Sequence, residues 1–179
     1  ENLENKESSG KIIISWLIPI AVAAAIALLV RIFIGGATTV QGESMLPTLN
    51  NGDIVLVNKM PSYSNSFNRT DIVILDAPEE KDRLYIKRII GMPGETIEIS
   101  DGKILVDGKW LREYYLNEPK TGIYVYSKWI LKDDEYFVLG DNRIPGKSND
   151  SRIFGPIKAN SIHGVAVFRI WPFTNAGVL

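Results

Sequence analysis

The chain contains no cysteine and a single histidine, His163. The first absence removes disulfide scaffolds, thiol nucleophiles and cysteine zinc sites together. The second removes any multi-histidine metal centre. Neither sign of charge dominates: 20 Lys and Arg face 21 Asp and Glu, for a formal net charge of -1, so the cationic footprint of a nucleic-acid binder is missing. The sequence has no internal repeat and no low-complexity tract. Its 179 residues allow one ordinary globular domain with an appendage, not two large domains. Any hydrolytic chemistry must therefore rest on Ser, Thr, Lys, Tyr or carboxylates, or on His163 alone.

The apolar residues are unevenly placed. Ile12 to Val30 is an uninterrupted run of 19 residues without a charge, IIISWLIPIAVAAAIALLV. At 1.5 Å per residue such a helix is roughly 28 Å long, close to the hydrocarbon thickness of a bilayer. Pro19 would bend a helix in water but is tolerated in a membrane. The rival readings are a cleavable leader, whose apolar core normally has only about 7–15 residues, and a buried soluble helix. Core length favours an uncleaved anchor over residues 12–34, behind an N-terminal tail at 1–11. Lys6 and Lys11 precede the run and Arg31 follows it, a bias that puts the N-terminal side in the cytoplasm and residues 36–179 outside.

Residues 36–179 have the texture of a mainly β domain. Ile54–Val57, Ile72–Leu75, Tyr85–Ile90, Tyr136–Leu139 and Val165–Ile170 are short β-branched or aromatic runs between turn residues, each too short for a helix. Thr96–Ser100, Lys103–Val106 and Lys109–Leu111 are separated by Asp101-Gly102 and Asp107-Gly108. Each Asp-Gly supplies the positive φ angles of a two-residue hairpin, which predicts a three-stranded meander. Residues 61–70 and 76–82 read as polar loops.

Three segments carry residues capable of chemistry. Gly42-Glu43-Ser44-Met45-Leu46-Pro47-Thr48 puts a serine in a Gly/Pro loop about ten residues past the apolar run. Tyr85-Ile86-Lys87-Arg88-Ile89-Ile90 puts two cations in the middle of an apolar strand. Alternation sets Tyr85, Lys87 and Ile89 on one face and Arg88 on the other, so one cation must point to the more buried side. A desolvated lysine loses its proton readily and becomes a base. Gly140-Asp141-Asn142-Arg143, followed by Ser148-Asn149-Asp150-Ser151-Arg152, packs acids, cations and hydroxyls after a strand. Taken singly, these are a turn serine, a snorkelling lysine and a hydrogen-bonded loop. His163, before Gly164 and without an acid-His-Ser spacing, reads as structural.

Taken together, the ordered boxes G-x-S-M-x-P-T-L, Gly52-Asp53, Y-x-K-R-x-I-G-x-P-G, G-D-N-R and S-x-D-S-R resemble the type I (leader) signal peptidases. The single apolar run and modest length are similar to the Gram-positive form. The resemblance implies a Ser-Lys peptidase β-fold with an N-terminal transmembrane helix, in which 36–179 is the extracytoplasmic catalytic domain of a single-pass cell-membrane protein. It implies Ser44 as nucleophile and Lys87 as general base. It also implies Ser148 as the hydroxyl that orients the lysine, with Asp141–Arg88 and Asp150–Arg152 as bracing ion pairs. The implied partners are membrane lipid and secretory preproteins, with small residues at the first and third positions before the cut. No cofactor, metal or nucleic acid is implied.

The chemistry is coherent in its own right. A lysine can replace histidine as base only when neutral, which requires burial to bring its pKa from about 10.4 toward 7–8. Tyr85 and Ile89 are candidates for the apolar wall, and the Ser44 N–H for an oxyanion donor. Two departures from the family pattern stand out. Gly42 occupies a position where some members carry a serine that donates to the oxyanion. Four residues, Ile144 to Lys147, separate Arg143 from Ser148 where the usual number is two, which leaves Ser151 as the fallback for orienting Lys87. Two other readings are a self-cleaving repressor-type regulator, which would lack the apolar run, and a non-catalytic membrane-tethered assembly factor for surface proteins, which would not need Ser44 or Lys87.

Overall fold

A computed structural model of the chain describes residues 14–24, 34–116, 120–123 and 126–179. The chain divides into two compact units, Glu1–Ile34 and Gly35–Leu179. In the first, residues 14–24 are helical. No helix among the described residues is long and apolar enough to cross a membrane. The tail at 1–11 and the rest of the span expected over 12–34 lie outside the described residues, apart from Ile34.

The strands are β1 (Ile34–Thr39), β2 (Ile54–Asn58), β3 (Ile72–Asp76), β4 (Leu84–Gly91), β5 (Thr96–Ser100), β6 (Lys103–Val106), β7 (Lys109–Trp110), β8 (Lys128–Ile130), β9 (Glu135–Leu139), β10 (Ile157–Lys158), β11 (Ile162–Trp171) and β12 (Gly177–Val178). Two short helices, α1 (Met60–Ser64) and α2 (Ser151–Phe154), interrupt them. The larger sheet runs β1-β2-β11-β3-β4-β9-β10, with β12 paired to β11, and the smaller runs β7-β6-β5-β8.

Strand β3 is buried on both faces from Ile72 to Leu75. It lies between β11 and β4, where a near-continuous apolar run is what two covered faces demand. Val73 and Leu75 join one core cluster with Ile89 and Val138, while Ile72 and Ile74 join another with Met45, Leu49 and Val55. The antiparallel register sets Lys87 opposite Val73 and Arg88 opposite Ile72, and opposed residues share a face. Both cations are buried, Lys87 at 3% and Arg88 at 6% exposure. Two covered faces, rather than the one expected, explain why both cations are largely buried.

The smaller sheet contains the expected meander. Asp101 and Gly102 have φ of 50° and 74°, and Asp107 and Gly108 have 49° and 75°, the left-handed pair that a two-residue hairpin requires. Trp129 packs on Phe137 at 4.6 Å, joining this sheet to β9. The elements not anticipated are short. Helix α1, inside an expected loop, has only five residues, a proline in its first turn and a left-handed Asn65 at its end, so it shows no helical periodicity.

Candidate active site

The serine loop is pinned on both sides of Ser44. Met45 and Leu49 are fully buried in the cluster beneath β2, and the Leu49 N–H donates to the Met45 carbonyl at 2.9 Å. The Asn142 N–H donates to the Ser44 carbonyl at 2.9 Å, and Asn142 Nδ2 donates to the Glu43 carbonyl at 3.1 Å. Two segments nearly a hundred residues apart in sequence are thereby locked together around the half-buried serine.

Lys87 Nζ lies 3.0 Å from Ser44 Oγ and 3.0 Å from the Ile86 carbonyl. As an ammonium it donates to both; as an amine it can accept the serine proton. The Tyr85 ring centroid is 4.9 Å from Nζ, and Tyr85 is itself stacked on Phe154. Burial lowers the Lys87 pKa from 10.5 to about 8, partly opposed by the carboxylate of Asp150 and assisted by Arg83. Desolvation disfavours the charged form, so the amine needed for general base catalysis becomes accessible near neutral pH.

Three buried ion pairs surround this dyad. Arg88 holds Asp141 in a fork, with Nε to Oδ1 at 2.9 Å and Nη2 to Oδ2 at 2.7 Å. Thr48 Oγ1 donates to the same carboxylate, and the Arg88 guanidinium lies 3.9 Å from the Tyr115 ring centroid. Asp150 accepts from Arg152 Nε and Nη2, both at 2.8 Å, and from the Gly140 N–H at 3.1 Å. The third pair, Arg143 with Glu113, also draws in Thr121 Oγ1 at 2.8 Å. Burial, reinforced by the Glu113 carboxylate, pushes the neighbouring Tyr115 hydroxyl well above its usual range. Such pairs are costly to break from one side, because the remaining charge is stranded in a low dielectric. Here they fix the turn at 140–143 against the serine loop.

Ser44, Lys87, Arg88, Asp141, Asp150 and Arg152, all singled out from sequence, thus converge. The hydroxyl of Ser148 is buried without a hydrogen-bond partner, beside Gly140. Ser151 Oγ accepts from the Val138 N–H at 3.0 Å. Neither serine bonds to Lys87 in this arrangement. Gly42 has φ +88° and open space where a side chain would stand, and its N–H donates to Asn51 Oδ1 at 2.8 Å. His163 Nε2 lies at the surface, 2.7 Å from Asp76 Oδ1. Among the described residues, no group of three or more His, Cys, Asp or Glu could hold a metal. Sequence reasoning missed Glu113 and the role of Thr48. Thr48 stood inside the serine box, whereas Glu113 sits in the patternless stretch after the meander and has no local signal.

The dyad opens into a groove of about 480 Å³. Its lining includes residues 38–44 and 82–87, which carry Ser44 and Lys87, together with Ile74, Lys147 and Asn149.

Residues 13–171 match the family described as signal peptidase, peptidase S26. Signal peptidase I P of Bacillus subtilis subsp. natto is 37% identical over 184 residues, covering 98% of this chain and 96% of its own. Signal peptidase IB of Staphylococcus aureus (strain COL) is 38% identical over 180 residues, covering 92% of each chain. A crystal structure of a signal peptidase I from Enterococcus faecalis V583 is 35% identical and covers 55% of this chain and 95% of its own, with a TM-score of 0.48.

Proposed function

Because the chain belongs to the signal peptidase S26 family, with the match spanning residues 13–171, we propose that it removes N-terminal signal peptides from exported preproteins with a Ser44-Lys87 dyad. The observation that carries this reading is Lys87 Nζ at 3.0 Å from Ser44 Oγ, in an environment that lowers the lysine pKa to about 8. Neutral Lys87 takes the Ser44 proton as the hydroxyl attacks the scissile carbonyl. It returns that proton to the leaving amine, then activates the water that hydrolyses the acyl-enzyme. The Ser44 N–H donates to the developing oxyanion. No side chain at Gly42 adds to it, so a second donor comes from elsewhere or from water. The ion pairs of Asp141 with Arg88 and Asp150 with Arg152 hold the dyad geometry. Ser148, buried and unpartnered beside Gly140, is the hydroxyl we assign to orienting the lysine, with Ser151 as the fallback.

The segment 12–34 serves as the membrane anchor, with the catalytic domain outside the cell membrane and its groove served by substrates that are themselves membrane-tethered. A substrate laid between the groove walls as an extended strand turns its first and third residues before the cut toward the enzyme and its second away. The carbonyl must come within about 3–3.5 Å of the hydroxyl, which leaves little depth at the first position. Cleavage is therefore expected after Ala-x-Ala and similarly small pairs, with wide tolerance at x. Incubating the protein with a preprotein and sequencing the new N-terminus, followed by a peptide series varied singly at the three positions, tests this. Equal rates for Ala and Leu at the first position would refute the shallow pocket, and strict selection at x would refute the strand geometry.

A further inference from the structure

The serine loop is closed at its base by the backbone. The Val40 N–H donates to the Asp53 carbonyl at 2.8 Å, and the Gly52 N–H donates to the Val40 carbonyl at 2.9 Å. Before and at the nucleophile, Asn142 holds the loop by the Glu43 and Ser44 carbonyls. Past the nucleophile it is held by Arg169, on β11. Arg169 Nη1 donates to the Thr48 carbonyl at 2.9 Å and to Asp53 Oδ2 at 3.0 Å, while Nε donates to the Asn175 carbonyl at 2.7 Å. Asp53 is buried at 3% exposure, and the same carboxylate oxygen accepts from the Asn50 N–H at 3.0 Å. One guanidinium thus ties together the serine loop, the residue that closes its base and the turn at Phe173–Asn175. Gly52-Asp53 is a box to which the dyad and its ion pairs assign no part, and this contact gives it one.

Thr48 is where the two holds meet. Its hydroxyl donates to the Asp141 carboxylate and accepts from Arg88 Nη2 at 3.3 Å, while its carbonyl is taken by Arg169. Met45, Leu46 and Pro47 alone separate Thr48 from Ser44, and Met45 is fully buried. So short and anchored a segment has little slack to absorb a displacement of Thr48 before it reaches the serine. Building on the proposed peptidase activity, we propose that Arg169 is a positioning residue for that reaction: it sets Ser44 against Lys87 by fixing the Thr48 carbonyl, with Asp53 aiming the guanidinium. Arg169 acts through the loop, not on the reacting atoms. The role calls for arginine because Nη1 and Nε serve two directions at once, whereas a lysine carries all its donors on one nitrogen.

The test measures kcat and KM for one preprotein in the native protein, Arg169→Lys, Arg169→Met and the double variant Arg169→Met/Asp53→Leu. Each is assayed well below its own melting temperature, so that only folded protein is compared. Arg169→Met strands the Asp53 carboxylate, and both melting temperature and kcat should fall. The double variant removes the stranded charge and should recover most of the melting temperature. Its kcat should nevertheless stay about ten- to a hundredfold down, because a misplacement of about 1 Å can cost on the order of 10²-fold in rate. Arg169→Lys keeps a cation for Asp53, so it should melt close to the native protein and still lose kcat by about three- to tenfold. In all three variants KM should stay within about twofold of the native value, since the loss is confined to the chemical step. A kcat that recovers with the melting temperature in the double variant would reduce Arg169 to a structural ion pair and overturn the proposal. Native turnover by folded Arg169→Lys would overturn it even where the Met variants fail to fold. If the native protein cleaves the preprotein and the variants match it, only the role of Arg169 falls. If the native protein does not cleave it, the peptidase reading falls and takes the positioning role with it.

Discussion

Ser44→Ala and Lys87→Ala should each lower preprotein cleavage by at least about 10³-fold, and the double variant should be no worse than either single one. In the proposed mechanism the two side chains act as one proton-transfer unit, and the members of such a unit are grossly non-additive. Ser44 is half-buried in a loop held by Met45, Leu49 and Asn142, so its hydroxyl can be deleted with the loop in place. Removing Lys87 relieves a desolvated cation and leaves the neighbouring Tyr85 and Ile89 packed in their cluster. Thermal melting of both variants should therefore stay close to that of the native protein while activity disappears. Lys87→Arg should be equally inactive, because a guanidinium does not deprotonate in this range. Substantial turnover by a well-folded member of the set would remove the dyad from the account.

Gly140→Ala should lower both stability and activity, although residue 140 lies outside the proposed dyad. A Cβ there would overlap the Ser44 carbonyl oxygen and the Ser148 hydroxyl. One of these is backbone of Ser44 itself, so the loop must shift. Overpacking of this kind costs about 1–3 kcal/mol, and displacing a reacting group by about 1 Å can cost on the order of 10²-fold in rate. Gly140 also donates to Asp150 and accepts from Arg143 Nε at 2.9 Å, so the shift would reach two of the ion pairs. Differential scanning calorimetry with kcat/KM on one preprotein checks both effects. Native melting and native turnover together would show that the serine loop tolerates the methyl and that the packing argument is wrong.

How much of this was legible in the sequence depends on where each signal resides. Alternation and Asp-Gly turns are local, and β5 to β7 formed as those residues dictated, with all four turn residues at positive φ. The burial of Arg88 was not local. It depends on β3 and β9 flanking β4 and on Asp141, 53 residues away, arriving to neutralise the guanidinium. Glu113 was invisible for the same reason, since its partner Arg143 comes from another element and nothing in its own neighbourhood demands an acid. Strands β8, β10 and β12, of two or three residues, are too short to carry a period and exist because a longer strand offers an edge. The expectation that Ser148 would bond Lys87 came from resemblance alone. In the fold its hydroxyl is buried beside the dyad turn without a partner, while the fallback, Ser151, holds the β9 backbone.

The central claim is that a lysine, made neutral by burial, is the base that activates Ser44. The most direct test is kcat/KM for one preprotein across about pH 5 to 10. Below the Lys87 pKa the ammonium cannot accept the serine proton, so the neutral fraction and the rate should climb about tenfold per pH unit and level off above about 8. The account predicts that single ascending limb, unchanged by chelators. A profile flat from about pH 5 upward, or a limb in the ordinary histidine range near about 6.5, would contradict it.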